Sequence, residues 1–360
     1  MTATRSADPG TAPGRATGLV EQHRPLPRVA LSGLYVLGAL AGVVLSAVTG
    51  FNVVLAVLYA VVLGTVAVYV ASRSVEGSRK AFDRLVTSVV TTAFAVAMVP
   101  LVSLVWTVLS RGLKRLDAEF FTSSMLGVVG EGGGAYHAIM GTLVITAITA
   151  VISVPIGLLT ALYLVEYGTG RLKRWITFLV DVMTGIPSIV AGLFAFALFA
   201  LFFGPGVRMG IMGAIALSVL MIPVVVRSSE EVLKLVPNEL REAAYALGVP
   251  KWRTIVKVVI PTAIAGLATA VTLAIARVVG ETAPLLITVG IINGTNLDPF
   301  DGRMATLPVF AYYQLTQPGF PPQYAIDRAW TAALILIILV MALNVVARLI
   351  SRFFAPKTGR

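Results

Sequence analysis

The sequence predicts an all-α integral membrane protein, a polytopic helical bundle with about eight membrane spans. Of its 360 residues, 57% are hydrophobic and only 12% are charged, whereas soluble domains carry about 25% charged residues. The mean hydropathy is +0.90. The apolar residues fall in runs long enough to cross a bilayer, for which a helix needs roughly 20 residues. The candidate spans are 29–49, 52–71, 85–109, 138–165, 175–203, 209–226, 258–292 and 330–350.

The N-terminal third divides into three predicted parts. Residues 1–28 are rich in Thr, Ala, Gly, Pro and Arg without an apolar period, which predicts a disordered cytosolic tail. Residues 29–84 hold two spans and a charged stretch, and are predicted to form an extra transmembrane hairpin with a linker. Residues 85–137 are predicted to be a transmembrane helix followed by an outer loop. The remaining spans form a core over 138–352.

The distribution of basic residues predicts the orientation. With a cytosolic N-terminus, the inner segments hold 21 of the 28 Lys and Arg residues and the outer segments hold six. Positive charge favours the cytosolic side of membrane proteins. The net charge of +11 is therefore explained by helix ends beside the membrane and does not indicate nucleic acid.

One predicted cytosolic segment, 228–257, is far more charged than a simple connection requires. Pro237 is expected to end a first short helix, and Asn238 to cap a second. Gly248 is placed to end that second helix, with Pro250 beyond it. Between these signals, four residues at helical spacing form one apolar stripe: Leu240, Ala243, Ala244 and Leu247. The residues alone leave two interpretations of this helix open. It could lie on the membrane surface, or it could dock into a groove of a partner protein.

The segment EAAYALGVPKWRTIVKVVIP resembles the signature loop of ABC-importer permeases. Glu242, Ala243, Ala244, Gly248 and Pro261 match the pattern at the right spacing, while Val258 and Ile260 are conservative departures. In that family the loop is a coupling helix in a cleft of the ATP-hydrolysing subunit. The resemblance implies a type I ABC importer fold and an ATPase contact through this segment. Its residues are Glu239, Leu240, Glu242, Ala243, Ala244, Leu247 and Gly248.

Other segments narrow the resemblance to the phosphate-specific permeases of the PstA type. These are GTLVITAITAVISVPIGLLTALYLVEYG, TGIPSIVAGL, ARVVGETAPLL and ATLPVFAYY. The resemblance covers about 85 to 352 and implies a permease subunit of a phosphate importer in the bacterial plasma membrane. It also implies a second homologous permease, a cytosolic ATPase dimer that uses ATP and Mg²⁺, and an extracytoplasmic phosphate-binding protein. The chain itself has no ATP-binding motif, so no cofactor is expected in it.

Two charges within a predicted span are candidates for the substrate path. Arg277 and Glu281 lie four residues apart, which would place both on one helix face. Charges inside spans are costly and usually functional, and an Arg side chain offers a rigid fork of donors for phosphate oxygens. The alternative is a structural ion pair. The resemblance favours the translocation path, because the ARxxGET block of the family matches here.

A second candidate lies around a proline inside the fifth span. Pro187 is expected to kink or break the helix, and a broken helix offers free N–H groups to an anion. Asp181 and Ser188 flank this position and join the predicted path. A packing kink is the alternative.

Several classes of function are excluded or disfavoured. The chain has no cysteine and only two histidines, so no disulfide, thiolate nucleophile or metal cluster is expected. Two transport alternatives stay open, a permease for another oxyanion such as sulfate or molybdate and an ion-coupled secondary transporter. An intramembrane enzyme is disfavoured, because no nucleophile and base can be paired.

Overall fold

The structure, a computed structural model, describes residues 26–354. Within that range every regular element is a helix. The chain forms two compact units, of which the first ends at Leu104 and the second begins at Val105. Residues 1–25 of the predicted cytosolic tail lie outside the described residues.

The first unit is built from α1 (Arg28–Val48), α2 (Val53–Val75) and the first part of α3 (Ser78–Gly112). Helices α1 and α2 approach closely, since a Cβ added at Gly38 would lie 2.4 Å from the Cα of Gly64. Small residues let membrane helices pack with their backbones this near. The charged stretch predicted as a linker is almost wholly helical, and only a turn at Glu76 and Gly77 separates α2 from α3.

The second unit contains the rest of α3 and eleven further helices within the described residues. They are α4 Ala118–Thr122, α5 Tyr136–Leu162, α6 Gly170–Thr184, α7 Ser188–Phe203, α8 Gly210–Lys234, α9 Asn238–Ala246, α10 Lys251–Thr254, α11 Ile260–Val279, α12 Ala283–Thr288, α13 Leu307–Thr316 and α14 Pro322–Phe354. Two π-helical turns lie beside these helices, Tyr163–Tyr167 directly after α5 and Ile255–Val259 directly before α11. A 3₁₀ turn at Leu113–Arg115 follows α3.

The predicted number of spans is confirmed, with one important difference. Seven helices of the described residues are long and apolar enough to cross a membrane, and a bent helix pair brings the number to eight. That pair is α6 and α7, whereas the apolar run predicts a single span at 175–203. Their axes differ by 105°, because the helix is broken at Gly185–Pro187.

Two further predicted boundaries were wrong. The span predicted at 209–226 continues as α8 to Lys234, where Glu230 pairs with Arg227 and Lys234 across single helical turns. The first short cytosolic helix is therefore the end of a long one. The span predicted at 258–292 ends at Val279, and α12 follows as a separate short helix.

Helix α8 lies at the centre of the second unit. Its buried residues Ala214, Leu217, Met221 and Val225 form a hydrophobic core with residues of α5, α11 and α12. Glycines allow the neighbouring helices to come close, as at Gly157, where an added Cβ would lie 2.6 Å from Val225. This packing fixes the position of the end of α11, where the predicted path residue Arg277 lies.

Candidate functional site

A cavity of about 190 Å³ lies where the break between α6 and α7 meets α8 and the end of α11. Three of the four predicted path residues line it: Ser188, Arg277 and Glu281. They come from positions up to 93 residues apart in the sequence, and only the fold brings them together. Pro223 and Val224 of α8 contribute an apolar wall.

The two charged residues of the cavity do not form an ion pair. Among the described residues, no salt bridge or hydrogen bond joins the side chains of Arg277 and Glu281 to a protein partner. Helix α11 ends at Val279, so Glu281 lies in the break before α12 rather than on the next helical turn. The expectation that one helix face carries both charges is therefore wrong. Arg277 reaches the cavity from the last turn of α11, and Glu281 reaches it from the turn that follows this helix.

Arg277 is exposed in the chain and occupies the last turn of α11. A cation at this end of a helix also interacts favourably with the helix dipole. Since no carboxylate of residues 26–354 pairs with it, its guanidinium can bind an anion bidentately.

The break between α6 and α7 exposes a helix N-terminus at the same cavity. Pro187 precedes the first residue of α7, Ser188, as the sequence predicted. Helix N-termini leave N–H groups without helical partners, and these together with the dipole favour anions. The position of α7 is fixed by its contact with α12, where an added Cβ at Gly192 would lie 2.7 Å from the Cα of Pro284.

Asp181, the fourth predicted path residue, does not line this cavity. Its carboxylate forms an ion pair with Arg227 of α8. Arg227 also binds Glu230 at 2.7 Å and the backbone carbonyl of Thr177 at 3.3 Å. Asp181 therefore ties α6 to α8 in an ion-pair network, to which Lys234 is added through Glu230 at 2.8 Å.

The predicted coupling helix is α9, nine residues long. Its N-cap is Pro237, one residue before the predicted Asn238. At the other end Gly248 has φ +75°, the left-handed region that favours glycine. The Gly248 N–H donates to the Tyr245 carbonyl at 2.9 Å, and the Val249 N–H donates to the Ala244 carbonyl at 3.1 Å. This is a Schellman motif, so the predicted glycine stop is confirmed.

The apolar stripe of α9 is divided between two environments. Leu247 is 83% exposed, Leu240 is 41% exposed and Ala243 is also exposed. Ala244 is only 8% exposed and is covered by the protein's own chain. The surface open to another molecule therefore consists of Leu240, Ala243 and Leu247. Of the two alanines at the centre of the predicted stripe, only Ala243 belongs to this surface.

A buried ion pair holds α9 in place. Arg241 donates from Nη2 to Oε1 of Glu166 at 2.8 Å and from Nε to the same oxygen at 3.1 Å. It also donates to the carbonyls of Val236 at 2.6 Å and Leu233 at 3.2 Å. The two side chains are only 12% and 5% exposed. Nothing in the sequence marked Glu166, which lies in the π-helical turn after α5.

A second contact reaches the same π-helical turn from the first residue of α10. The Lys251 ammonium lies 5.0 Å from the centre of the Tyr167 ring, a distance at which a cation and an aromatic ring attract. Single π-turns inside helices are rare and are frequently found at functional sites. The π-helical turn after α5 is thus bound to both α9 and the start of α10.

The chain was compared with protein families and with known proteins. Residues 153–360, more than half of the chain, match the model of the binding-protein-dependent transport system inner membrane components. The phosphate transport system permease protein PstA 1 of Mycobacterium tuberculosis is 50% identical over 288 residues, which cover 78% of this chain and 91% of that protein. The PstA protein of Pasteurella multocida is 39% identical over 258 residues, covering 71% and 88%.

Among solved structures, a bacterial alginate ABC transporter in complex with an alginate pentasaccharide-bound periplasmic protein matches with a TM-score of 0.54 and 13% identity. The match covers 77% of this chain and 97% of that one, and it establishes a likeness of fold. The chain is a multi-pass membrane protein that belongs to the binding-protein-dependent transport system inner membrane components and, among these, to the family of PstA permeases.

Proposed function

We propose that the chain is the membrane permease subunit of an ATP-driven phosphate importer. The observation that carries the proposal is the 50% identity to a phosphate transport system permease over most of both chains. The geometry supports it, since the cavity presents a helix N-terminus and an Arg that has no ion-pair partner in the described part of the chain, and α9 displays an exposed apolar surface.

In the proposed assembly, the exposed surface of Leu240, Ala243 and Leu247 docks onto one subunit of a cytosolic ATPase dimer. Glu239 and Glu242, both exposed, border this surface and supply its polar rim. The ATPase uses ATP and Mg²⁺. A second homologous permease completes the translocation path, and an extracytoplasmic binding protein delivers phosphate. The N-terminus lies in the cytosol, as the basic residues indicate.

Movement of the ATPase reaches the membrane through α9. Because Arg241 joins α9 to the end of α5 through a buried ion pair, displacement of α9 displaces α5. Helix α5 packs against α8 in the core that positions the cavity. The translocation path thus opens alternately to the two sides of the membrane, while Arg277, Glu281 and the N-terminus of α7 contact the anion.

The test is transport by a reconstituted complex. The chain is purified with the second permease and the ATPase, placed in proteoliposomes with the binding protein, and supplied with labelled phosphate or sulfate. We expect phosphate uptake that requires ATP hydrolysis. Uptake of sulfate without phosphate would assign the chain to another oxyanion, and phosphate uptake driven by an ion gradient without the ATPase would contradict the coupling role of α9.

A further inference from the structure

The first unit contains a cavity that the transport function does not use. It has a volume of about 870 Å³, lies between α1, α2 and the beginning of α3, and is open on one side. Ligand cavities in proteins commonly have volumes of about 300–1,000 Å³. It is therefore large enough for a sizeable organic molecule, unlike the 190 Å³ cavity at Arg277.

The walls of this cavity differ in chemistry. Helices α1 and α2 present apolar side chains such as Leu31, Val61 and Val68. Helix α3 presents Lys80, Asp83, Thr87, Ser88, Thr91 and Thr92. These polar residues recur at helical spacing and form one stripe along α3. A ligand must therefore be apolar on one side and polar on the other.

One end of the cavity is fixed by a satisfied buried ion pair. Glu76 accepts two hydrogen bonds from Arg84, each 2.7 Å, and further bonds from the Ser72 hydroxyl and the Leu26 N–H. This pair joins the end of α2 to the start of α3, beside a turn that lies at a membrane surface because it connects two spans. Its charges cancel, so neither is free for a ligand.

Two other charges at this end have no such partner. No ion pair within 4 Å involves Lys80 or Asp83 in residues 26–354. Both side chains line the cavity and both are exposed. The rim therefore offers one cation and one anion, three residues apart on the same helix.

Hydroxyl groups continue the polar stripe into the membrane. Thr91 lies eleven residues beyond Lys80, roughly 16 Å along the helix axis. Neither Thr91 nor Thr92 forms a side-chain hydrogen bond with a described residue. Ser88 and Tyr35 bind each other, which leaves one of their two O–H groups for a further acceptor. Since hydrocarbon offers no acceptors, these donors favour a ligand that carries oxygen atoms below its charged end.

We propose that this cavity binds one membrane phospholipid with a zwitterionic, amine-bearing headgroup. The phosphate lies at Lys80 and the headgroup ammonium lies at Asp83. Oxygen atoms of the glycerol esters accept from the hydroxyls along α3, and an acyl chain covers the apolar wall of α1 and α2. A free phosphate ion matches only Lys80 and leaves the apolar wall without a partner.

The first experiment measures lipid binding by native mass spectrometry of the full-length chain in detergent. Phosphatidylethanolamine, phosphatidylglycerol and inorganic phosphate are added in separate arms. We expect one phosphatidylethanolamine per chain, and binding at least about tenfold weaker for Lys80→Ala, since a charge-assisted hydrogen bond contributes that much. Arg79→Ala is the matched control, because Arg79 is the neighbouring basic residue and does not line the cavity.

The second variant tests the assignment of the ammonium. Asp83→Asn should abolish the preference for phosphatidylethanolamine over phosphatidylglycerol while total lipid binding persists, a change that loss of structure would not produce. Lys80→Arg keeps the positive charge and should retain lipid binding, which would show that the loss in Lys80→Ala comes from the missing charge and not from misfolding. Three results would overturn the proposal: equal binding by Lys80→Ala and Arg79→Ala, no headgroup preference in the unmodified chain, or binding of inorganic phosphate in place of lipid.

A third measurement locates the lipid independently. Because the chain has no cysteine, Thr91→Cys introduces a single thiol inside the cavity. Phosphatidylethanolamine should slow its reaction with a small maleimide, and this protection should disappear when Lys80→Ala is added. Unchanged labelling in the presence of the lipid would place the ligand elsewhere.

Discussion

Arg241 of α9 and Glu166 at the end of α5 form a buried ion pair with a shortest distance of 2.8 Å, between residues 75 positions apart. Arg241 also donates to the carbonyl of Leu233, in the last turn of α8, and to that of Val236 just beyond it. One side chain thus joins α9 to two membrane helices. In the proposed importer, this makes Arg241 and Glu166 positioning residues for energy coupling.

Removing Glu166 should uncouple ATP hydrolysis from uptake. Breaking one side of a buried ion pair costs about 3–5 kcal/mol, so Glu166→Ala should loosen α9 without removing its docking surface. We expect ATPase activity to persist in proteoliposomes while phosphate uptake per ATP falls at least fivefold. Glu231→Ala is the control, because Glu231 is exposed and has no ion pair within residues 26–354. Unchanged coupling in Glu166→Ala would exclude the proposed transmission through α5.

Gly248 should tolerate asparagine better than valine. Its φ of +75° costs a residue with a side chain about 1–2 kcal/mol, although a Cβ would meet no atom within 4 Å. Asparagine visits this region readily, whereas a β-branched residue is strongly disfavoured there. We expect Gly248→Asn to retain most coupled uptake and Gly248→Val to lose it, with both proteins still inserted in the membrane. Equal behaviour of the two variants would show that the Schellman geometry is not needed for docking.

Arg277→Gln should abolish phosphate uptake while the complex still assembles. The guanidinium has no carboxylate partner among the described residues, so its loss leaves no unpaired buried acid and should not unfold the chain. Uptake assays and size-exclusion chromatography of the complex measure the two effects. The control is Arg348→Gln, which changes an exposed Arg of α14 that does not line the cavity and should transport normally. Loss of assembly in Arg277→Gln would instead favour a structural role.

Asp181→Asn should leave the apparent affinity for phosphate within about twofold. Its carboxylate pairs with Arg227 and does not line the cavity, and pairs as exposed as this one contribute only about 0–1 kcal/mol. The KM for phosphate in reconstituted uptake is the decisive measurement. A tenfold rise in KM with an unchanged maximal rate would return Asp181 to the substrate path.

The first unit should lose stability only in strong acid. Hydrogen bonds from Arg84, then from Ser72 and Leu26, hold the pKa of Glu76 at about 2, below its ordinary value of 4.5, against the opposing effect of burial. Because the folded pKa is the lower one, this stabilisation is complete above about pH 4.5 and is lost as the pH falls through about 2.

Thermal unfolding of the full chain in detergent, measured from pH 7 to pH 2, tests this assignment. Glu76→Gln should lower the melting temperature at pH 7 and flatten its fall in the acid range. Glu131→Gln, which changes an exposed carboxylate, should leave the curve unchanged. A Glu76→Gln curve parallel to that of the unmodified chain would show that this ion pair does not control acid stability.

Local patterns predicted much of the coupling helix. The proline and glycine signals bracket α9 to within one residue, because capping depends on neighbours in the sequence. The same kind of signal, Pro187, marked the break before α7. The angle of 105° did not follow from the proline alone, because it also depends on the packing of α7 against α8 and α12.

Contacts between distant residues could not be read from the sequence. Asp181 and Ser188 are near in sequence, yet the partner of Asp181 is Arg227, 46 residues away. No local pattern links Arg328 of α14 to the glycine-rich loop 130–134, although the Arg328 Nη1 donates to the carbonyls of Gly130 and Gly132. In each case the partner of a flexible charged side chain depends on which residues the packed helices place within its reach.

The sequence by itself determined the membrane class, the number of spans, the bounds of the coupling helix and, through resemblance, the family. These follow from hydrophobic run length and capping, which act over a few residues. Only the tertiary structure decided that Arg277 and Glu281 line one cavity without pairing with each other, that Ala244 is covered, and that Glu166 binds Arg241. Pairing and burial depend on which helix faces meet, and close packing across the whole bundle fixes those faces.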